Sequence, residues 1–178
     1  MGANGWIVPP RSEFKRWNFY APREWDPTML NKDFHDFLSL LAKHNVRHLV
    51  VGGYAVALHG YPRYTGDLDV FIALDPASAS GVAAALRDFG FALDDADEAL
   101  FLNPRSIVEM GREPLKLQIM NAISGVQFEE AYPNRMTVRI GDLDVPFIGY
   151  QDLLRNKSVT GRGKDKVDVE ELRRRHQV

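Results

Sequence analysis

The apolar positions of the chain follow two periods, and the longer period predicts helices. Apolar residues at 34, 37, 38 and 41 share one helical face, which predicts a helix from a cap at Asn31 to about His44. A second amphipathic helix is predicted to begin at Ser78 or Ser80 and to end near Gly90. The chain closes with two further helical segments, GYQDLLRNK and KDKVDVEELRRRH.

Short apolar runs predict strands between these helices. They are VRHLVVGG, LDVFIAL, SIVEM and LKLQIMN, together with MTVRIGDLDVPFI, which we expect to be a hairpin with its turn at Gly141-Asp142. A short helix, YAVALHG, follows the first run, and the acidic stretch 94–98 is expected to be a loop. The predicted fold class is therefore α+β, with a small mixed sheet flanked by helices.

The first part of the chain has a different character. Residues 1–27 are rich in proline, arginine and aromatic residues and show no clear period. We expect an N-terminal arm there and a single domain over residues 28–178. The arm either packs its aromatic rings on the domain or serves as an interface, in which case it is a candidate route to a homo-oligomer.

Composition narrows the functional classes. The 178 residues are 45% hydrophobic and 26% charged, as in ordinary globular domains, and the net charge of −2 gives no general attraction to nucleic acid or membranes. With no cysteine, thiolate catalysis and cysteine-ligated zinc are excluded. No export signal or membrane-spanning run is visible, so we expect a cytoplasmic protein.

Two glycines and two aspartates carry the candidate chemistry. Gly52-Gly53 ends a strand and enters a helix, which lets the backbone approach an anionic ligand closely, although any tight turn of this kind uses glycine. Asp67 and Asp69 are two residues apart in a strand, so both face one side, where burial of like charges is costly without a cation. The pair suits Mg²⁺ or Mn²⁺, or is a solvated strand edge.

Taken together, these features resemble the DNA polymerase β-like nucleotidyltransferase superfamily, and most of all its small stand-alone bacterial proteins related to AbiEii toxins. The shared pattern is a strand, a glycine pair, a short helix and then Asp-hydrophobic-Asp, here Val51-Gly52-Gly53 and Asp67-Leu68-Asp69-Val70. Two later segments, ISGVQFEEAY and NKSVTGRGKDKVDVEEL, are also similar, so the resemblance covers roughly residues 30–172.

The resemblance implies roles for these residues. Gly52 and Gly53 would hold the phosphates of a nucleoside triphosphate (NTP), while the catalytic Asp67 and Asp69 would bind the metal that bridges those phosphates. Further nucleotide contacts are implied at Arg63, Thr65, Lys157, Arg162 and Lys164. Those in the tail require that it fold back onto the site, and Arg63 could contact either the phosphates or the carboxylates.

The third acid expected from the resemblance is missing. The strand in which such proteins carry it reads Leu117-Gln118-Ile119 here, and an amide can offer oxygen to a metal but cannot accept a proton. Either catalysis is degraded, or another acid takes over. The candidates are Glu109, Glu113, Asp94, Asp95 and Asp97. His59, beside the proposed site, is expected to bond backbone at a helix end rather than to act as a base.

The sequence thus predicts a metal-dependent nucleotidyltransferase that transfers a nucleotidyl group from an NTP to an unidentified acceptor. That acceptor is an RNA end, a protein or a small molecule. A catalytically degraded nucleotide-binding or regulatory protein of the same fold is the alternative. The resemblance alone suggests a toxin–antitoxin or phage-defence setting.

Overall fold

The computed structural model describes residues 24–26, 30–112 and 115–176, and within them a seven-stranded mixed sheet. The strands are β1 Glu24–Trp25, β2 His48–Val50, β3 Asp67–Ile72, β4 Ile107–Arg112, β5 Leu115–Met120, β6 Met136–Ile140 and β7 Leu143–Phe147. Their order across the sheet is β1-β6-β7-β2-β3-β5-β4. The pairs β1–β6, β7–β2 and β3–β5 are parallel and the other three are antiparallel.

Helices connect the strands and cover the sheet. They are α1 Lys32–Lys43, α2 Gly52–Leu58, α3 Pro76–Phe89, α4 Asp95–Leu100, α5 Phe128–Ala131, α6 Tyr150–Thr160 and α7 Gly163–His176, with a 3-10 turn at Tyr132–Asn134. The predicted α+β class, with a mixed sheet flanked by helices, is confirmed.

The two faces of the sheet meet different helices. Side chains alternate along β3, so Leu68, Val70 and Ile72 face one side and are fully buried in the core. On that side Leu117 of β5 lines a shared apolar cavity with residues of α1 and α3. Phe71 points to the opposite face and packs edge-on against Phe128 of α5, with ring centroids 5.1 Å apart.

Most predicted helices and strands are present, and capping residues explain where the helices begin and end. The Asn31 side chain accepts a hydrogen bond from the Asp33 N–H at 2.8 Å and begins α1 as expected. Gly90 ends α3 in the left-handed region, with φ 110°. The predicted start of α3 at Ser78 or Ser80 is wrong, because Asp75 caps the helix from outside.

The acidic stretch 94–98 is also not the loop that was predicted. Asp94 caps α4 by accepting from the Asp97 N–H, and the Asp97 side chain accepts from the Asp94 N–H in return. This reciprocal cap satisfies two otherwise unpaired backbone donors. The acidic run at 94–98 is therefore the cap and first turn of a helix.

Most of the predicted arm, residues 1–23 and 27, lies outside the described residues. Within it, Glu24 and Trp25 form β1 and pair with Arg139 and Ile140 at one edge of the sheet. The division into an arm over residues 1–27 and a domain over residues 28–178 stays a prediction, as does oligomerisation through the arm.

Candidate functional site

The candidate site lies at the start of β3, on the face opposite α1 and α3. Asp67 and Asp69 alternate with the buried Leu68 and therefore share this face with Phe71. Phe71 is covered by α5, whereas the two aspartates are only partly buried. The two carboxylates thus lie on a partly exposed part of this face, next to the apolar contact between Phe71 and α5.

The glycine turn lies directly against Asp69. The Val51 N–H donates to the Asp69 carbonyl oxygen at 2.9 Å, and the chain then enters α2 through Gly52, whose φ is +62°. A Cβ at Gly52 would overlap the Asp69 carboxylate. The backbone N–H of Gly53 donates to that carboxylate. The glycine pair therefore allows α2 to begin in contact with the acid.

Burial makes Asp69 an unusual carboxyl group. Its pKa is raised to about 6, chiefly because burial penalises the charged form and secondly because Asp67 carries a like charge nearby. Lys157, the Gly53 N–H and Arg63 act in the opposite direction. These three contacts only partly offset the effect of burial on the pKa, so nearby positive groups do not fully compensate the charge of the Asp69 carboxylate.

Arg63 and Thr65 hold the loop that leads into β3. Thr65 donates from its hydroxyl to the Asp67 carbonyl oxygen at 3.3 Å, and a Cβ at Gly53 would lie 2.5 Å from the same hydroxyl. Arg63 donates two hydrogen bonds to the carboxylate of Asp168 in α7, at 2.8 and 2.9 Å. Arg63 is thereby oriented toward α7.

A buried ion-pair network connects this loop with the C-terminal helices. The ammonium of Lys157 lies 2.5 Å from Asp165 and 3.0 Å from Asp168, and all three side chains are buried. Thr160 donates to the second oxygen of Asp165 at 2.5 Å. Burial alone would raise the pKa of Asp165, but the bonds from Lys157 and Thr160 outweigh it and lower the pKa.

The tail residues of the predicted site therefore separate into two groups. Lys157 lies near enough to Asp69 to affect its pKa, so α6 does return to the site. Arg162 and Lys164 are exposed at the junction of α6 and α7. Of the three basic residues predicted to meet a triphosphate, the structure brings Lys157 close to the aspartates and shows no contact between them and the other two.

Gln118 lies beside Asp69, on the neighbouring parallel strand. The two residues are paired in register, so their side chains share a face, and Glu109 of β4 is the next residue in the same row. The Gln118 amide donates from Nε2 to Glu109 at 2.9 Å, and Lys116 lies 3.1 Å from the other oxygen of Glu109. These two contacts lower the pKa of Glu109.

Most of the other candidate acids have structural roles or lie elsewhere. Asp94 and Asp97 cap α4, Asp95 is its first residue, and Glu113 lies outside the described residues. The expectation for His59 is confirmed, since this buried ring bonds the Ile148 carbonyl oxygen through Nε2 at 2.8 Å. Glu109 is therefore the described candidate acid nearest to Gln118.

The described charges around the aspartates can be added up. Arg63, Lys157 and Lys116 carry three positive charges, and their partners Asp165, Asp168 and Glu109 carry three negative ones. The sum of these pairs is zero, so Asp67 and Asp69 together leave an excess of two negative charges. Carboxylate oxygens with that excess of negative charge are the ligands that a hard divalent cation prefers.

Three residues near the site, Lys116, Asp165 and Asp168, were not predicted as site residues. The bond between Arg63 and Asp168 joins positions 105 residues apart, which no local sequence pattern reports. The spacing of Lys157, Asp165 and Asp168 on consecutive helices was the available clue. Among the described residues, no three histidine or acidic side chains converge as a ready metal site.

Comparison with known proteins shows a distant likeness. The chain is similar to the solved structure of a provisionally assigned nucleotidyltransferase from Thermotoga maritima, with a TM-score of 0.48 and 16% identity. The likeness covers 79% of this chain and 88% of the other. At this level it carries no argument about ligand or activity. No family model and no curated protein sequence matches the chain.

None of the helices that the structure describes is long and apolar enough to cross a membrane.

Proposed function

We propose that the protein binds an NTP together with a divalent cation and transfers a nucleotidyl group to an acceptor. One observation carries this proposal. Asp67 and Asp69 share one partly exposed face of β3 beside a glycine turn, and every described cation close to them is already paired with another acid. A divalent cation would balance the two carboxylates, and its remaining coordination positions would be open to phosphate oxygens of an NTP.

The roles of the residues follow from their positions. Asp67 and Asp69 would hold the cation, and Gln118 could add its amide oxygen, because its N–H₂ group is already committed to Glu109. Gly52 and Gly53 would let phosphate oxygens come close to the backbone, where a side chain would block them. When bound, the cation would neutralise carboxylate and phosphate oxygens together.

In such a reaction the acceptor attacks the NTP through its hydroxyl oxygen. A bond forms between that oxygen and the α-phosphorus, the bond to the bridging oxygen breaks, and pyrophosphate leaves. The hydroxyl proton must pass to a base, which Gln118 cannot be. Glu109 is the described acid beside Gln118, and its lowered pKa makes it a weak base, which supports slow transfer.

Gln118 also favours a second function. Gln118 lies in register with Asp69, where the resemblance places a third carboxylate, so the site could bind nucleotide without turning it over. The protein would then be a nucleotide-binding or regulatory member of this class. Relationship to AbiEii toxins and a toxin–antitoxin or phage-defence setting belong to this proposal and rest on the sequence resemblance alone.

A labelling experiment tests transfer. Native protein is incubated with each α-³²P-labelled NTP and Mg²⁺, in separate reactions with RNA, with protein and with small-molecule extracts. We expect slow transfer by the native protein and faster transfer by Gln118→Asp, because that change restores a proton acceptor next to Asp69. The double variant Asp67→Asn/Asp69→Asn serves as the inactive control.

Each outcome selects between the two functions. Transfer by the native protein that the double variant lacks supports the enzyme. Transfer by Gln118→Asp alone supports the degraded, nucleotide-binding protein. Label transfer by the double variant at the native rate would remove Asp67 and Asp69 from the reaction and contradict the proposal.

A further inference from the structure

One aromatic ring close to the candidate site along the chain is exposed to solvent. Tyr64 is 59% exposed, the largest exposed fraction of any aromatic residue among the described side chains. It lies between Arg63 and Thr65, three residues before Asp67. Leaving such a ring in water forgoes a large part of the favourable free energy of burying it.

The backbone below the ring is held firmly. Arg63 is fixed by its two hydrogen bonds to Asp168, and its Nη1 also donates to the Tyr64 carbonyl oxygen at 3.4 Å. On the other side, Thr65 is bonded to the Asp67 carbonyl oxygen and packed against Gly53. The ring is therefore exposed on a loop that is anchored on both sides.

Tyr64 also lies close to Asp67 along the chain. The pKa of the buried Tyr54 hydroxyl is raised chiefly by burial, and Asp67 lies near enough to raise it further. Three residues of chain reach at most about 11 Å, so Tyr64 cannot be farther than this from Asp67 along the backbone. That span is comparable with the distance between the phosphates and the base of a nucleotide.

The residues proposed above to bind the nucleotide would contact only its charged part. Carboxylates, a backbone turn and paired cations can bind a triphosphate, but none of them recognises a base. The other described rings in this region, Tyr54, Phe71 and Phe128, are buried and cannot present a face to a ligand. Tyr61 is half-buried, and the Arg175 guanidinium lies over its ring, 5.5 Å from the centroid. Tyr64 is the described ring in this region whose face is available.

We propose that the Tyr64 ring stacks on the base of the bound nucleotide and so makes the site select nucleotides over base-free polyphosphates. This inference rests on the proposed function, because it assumes a nucleotide at Asp67 and Asp69. Stacking is sequence-tolerant, since every base has an aromatic face. The ring therefore favours nucleotides as a class and gives at most a modest preference among the four bases.

Calorimetry with two ligands tests this role. ATP and inorganic tripolyphosphate are titrated, in the presence of Mg²⁺, into the native protein and into Tyr64→Ala and Tyr64→Trp. We expect Tyr64→Ala to weaken ATP binding by about 5- to 150-fold, the range for loss of one base stack, and to leave tripolyphosphate binding unchanged. Tyr64→Trp keeps a ring and should bind ATP as tightly as the native protein.

Ile107→Ala is the matched control, because Ile107 is 62% exposed and lies on the edge strand β4. It should leave both affinities unchanged. If Tyr64→Ala binds ATP with native affinity, the stacking role is wrong. A fall in transfer to an RNA acceptor alone would mean that the ring contacts the acceptor. An equal fall in the affinities for ATP and tripolyphosphate would also overturn the stacking role. Absence of ATP binding by the native protein would overturn the proposed function as well.

Discussion

Gly52 combines a left-handed backbone conformation with close contact to the Asp69 carboxylate. Its φ of +62° lies in the region that glycine adopts at little cost, and its missing side chain leaves room for the Asp69 carboxylate. Either property alone would favour glycine there. Together they bring the first turn of α2 against an acid, which is what the candidate site requires.

Gly52→Ala should therefore destabilise the protein strongly. A Cβ there meets both an unfavourable backbone conformation and the Asp69 carboxylate, and we expect a loss of at least about 2 kcal/mol in the free energy of unfolding. The control is Gly163→Ala, since no atom lies within 4 Å of a Cβ at Gly163 and alanine is the better helix former. Urea unfolding of both variants measures the difference. Equal stability of the two would contradict this role of Gly52.

At this scale the sequence was informative about local geometry and uninformative about partners. The two-residue spacing of Asp67 and Asp69 and the Gly52-Gly53 pair are local patterns, and the structure places them together. The partner of Arg63 was open between phosphates and carboxylates. It proves to be Asp168, which is 105 positions away and could not be predicted from local pattern.

The C-terminal helices are held to the site by the buried network rather than by apolar packing alone. Asp168 is 1% exposed and receives both Arg63 and Lys157. A buried ion pair contributes little net stability compared with apolar side chains of the same shape. Removing one partner is costly, however, because it leaves buried charge without compensation.

Asp168→Asn should thus cost about 3 to 5 kcal/mol in the free energy of unfolding. Asp144→Asn is the control, since Asp144 pairs with Arg139 at 3.2 Å but is 63% exposed, and we expect a small effect there. Thermal or urea unfolding measures both. If Asp168→Asn does not fold, the double variant Arg63→Gln/Asp168→Asn should recover part of the stability. A change in Asp168→Asn no larger than that in Asp144→Asn would contradict the network's role.

Elements with a clear apolar period were predicted well. The helix α1, the hairpin of β6 and β7 and the two closing helices appear where their patterns placed them. The start of α3 and the whole of α4 were missed because caps formed by aspartates determine them. A cap depends on one or two side-chain bonds, which the hydrophobic pattern does not report.

Across the whole molecule, the sheet separates a structural face from a chemical one. One face buries apolar side chains of β3 and β5 against α1 and α3, and the other carries Asp67, Asp69, Gln118 and Glu109 in neighbouring rows. The order of the strands brings β3, β5 and β4 side by side. That order could not be predicted from the sequence, since strand pairing depends on contacts distant along the chain.

The distribution of charge around Asp67 and Asp69 is the main reason to expect a bound cation. The described cations near the aspartates are neutralised by acids, so the two carboxylates need a cation from outside the chain. A divalent cation would meet that need, and phosphate oxygens of a nucleotide would occupy its remaining coordination positions.

Calorimetric titration of Mg²⁺ and ATP into the native protein tests this claim most directly, with Asp67→Asn/Asp69→Asn as the matched variant. The account predicts saturable ATP binding by the native protein that requires Mg²⁺ and is lost in the double variant. Circular dichroism should show that the variant is folded. The account is contradicted if the native protein binds none of the four NTPs, or if the double variant binds ATP with native affinity.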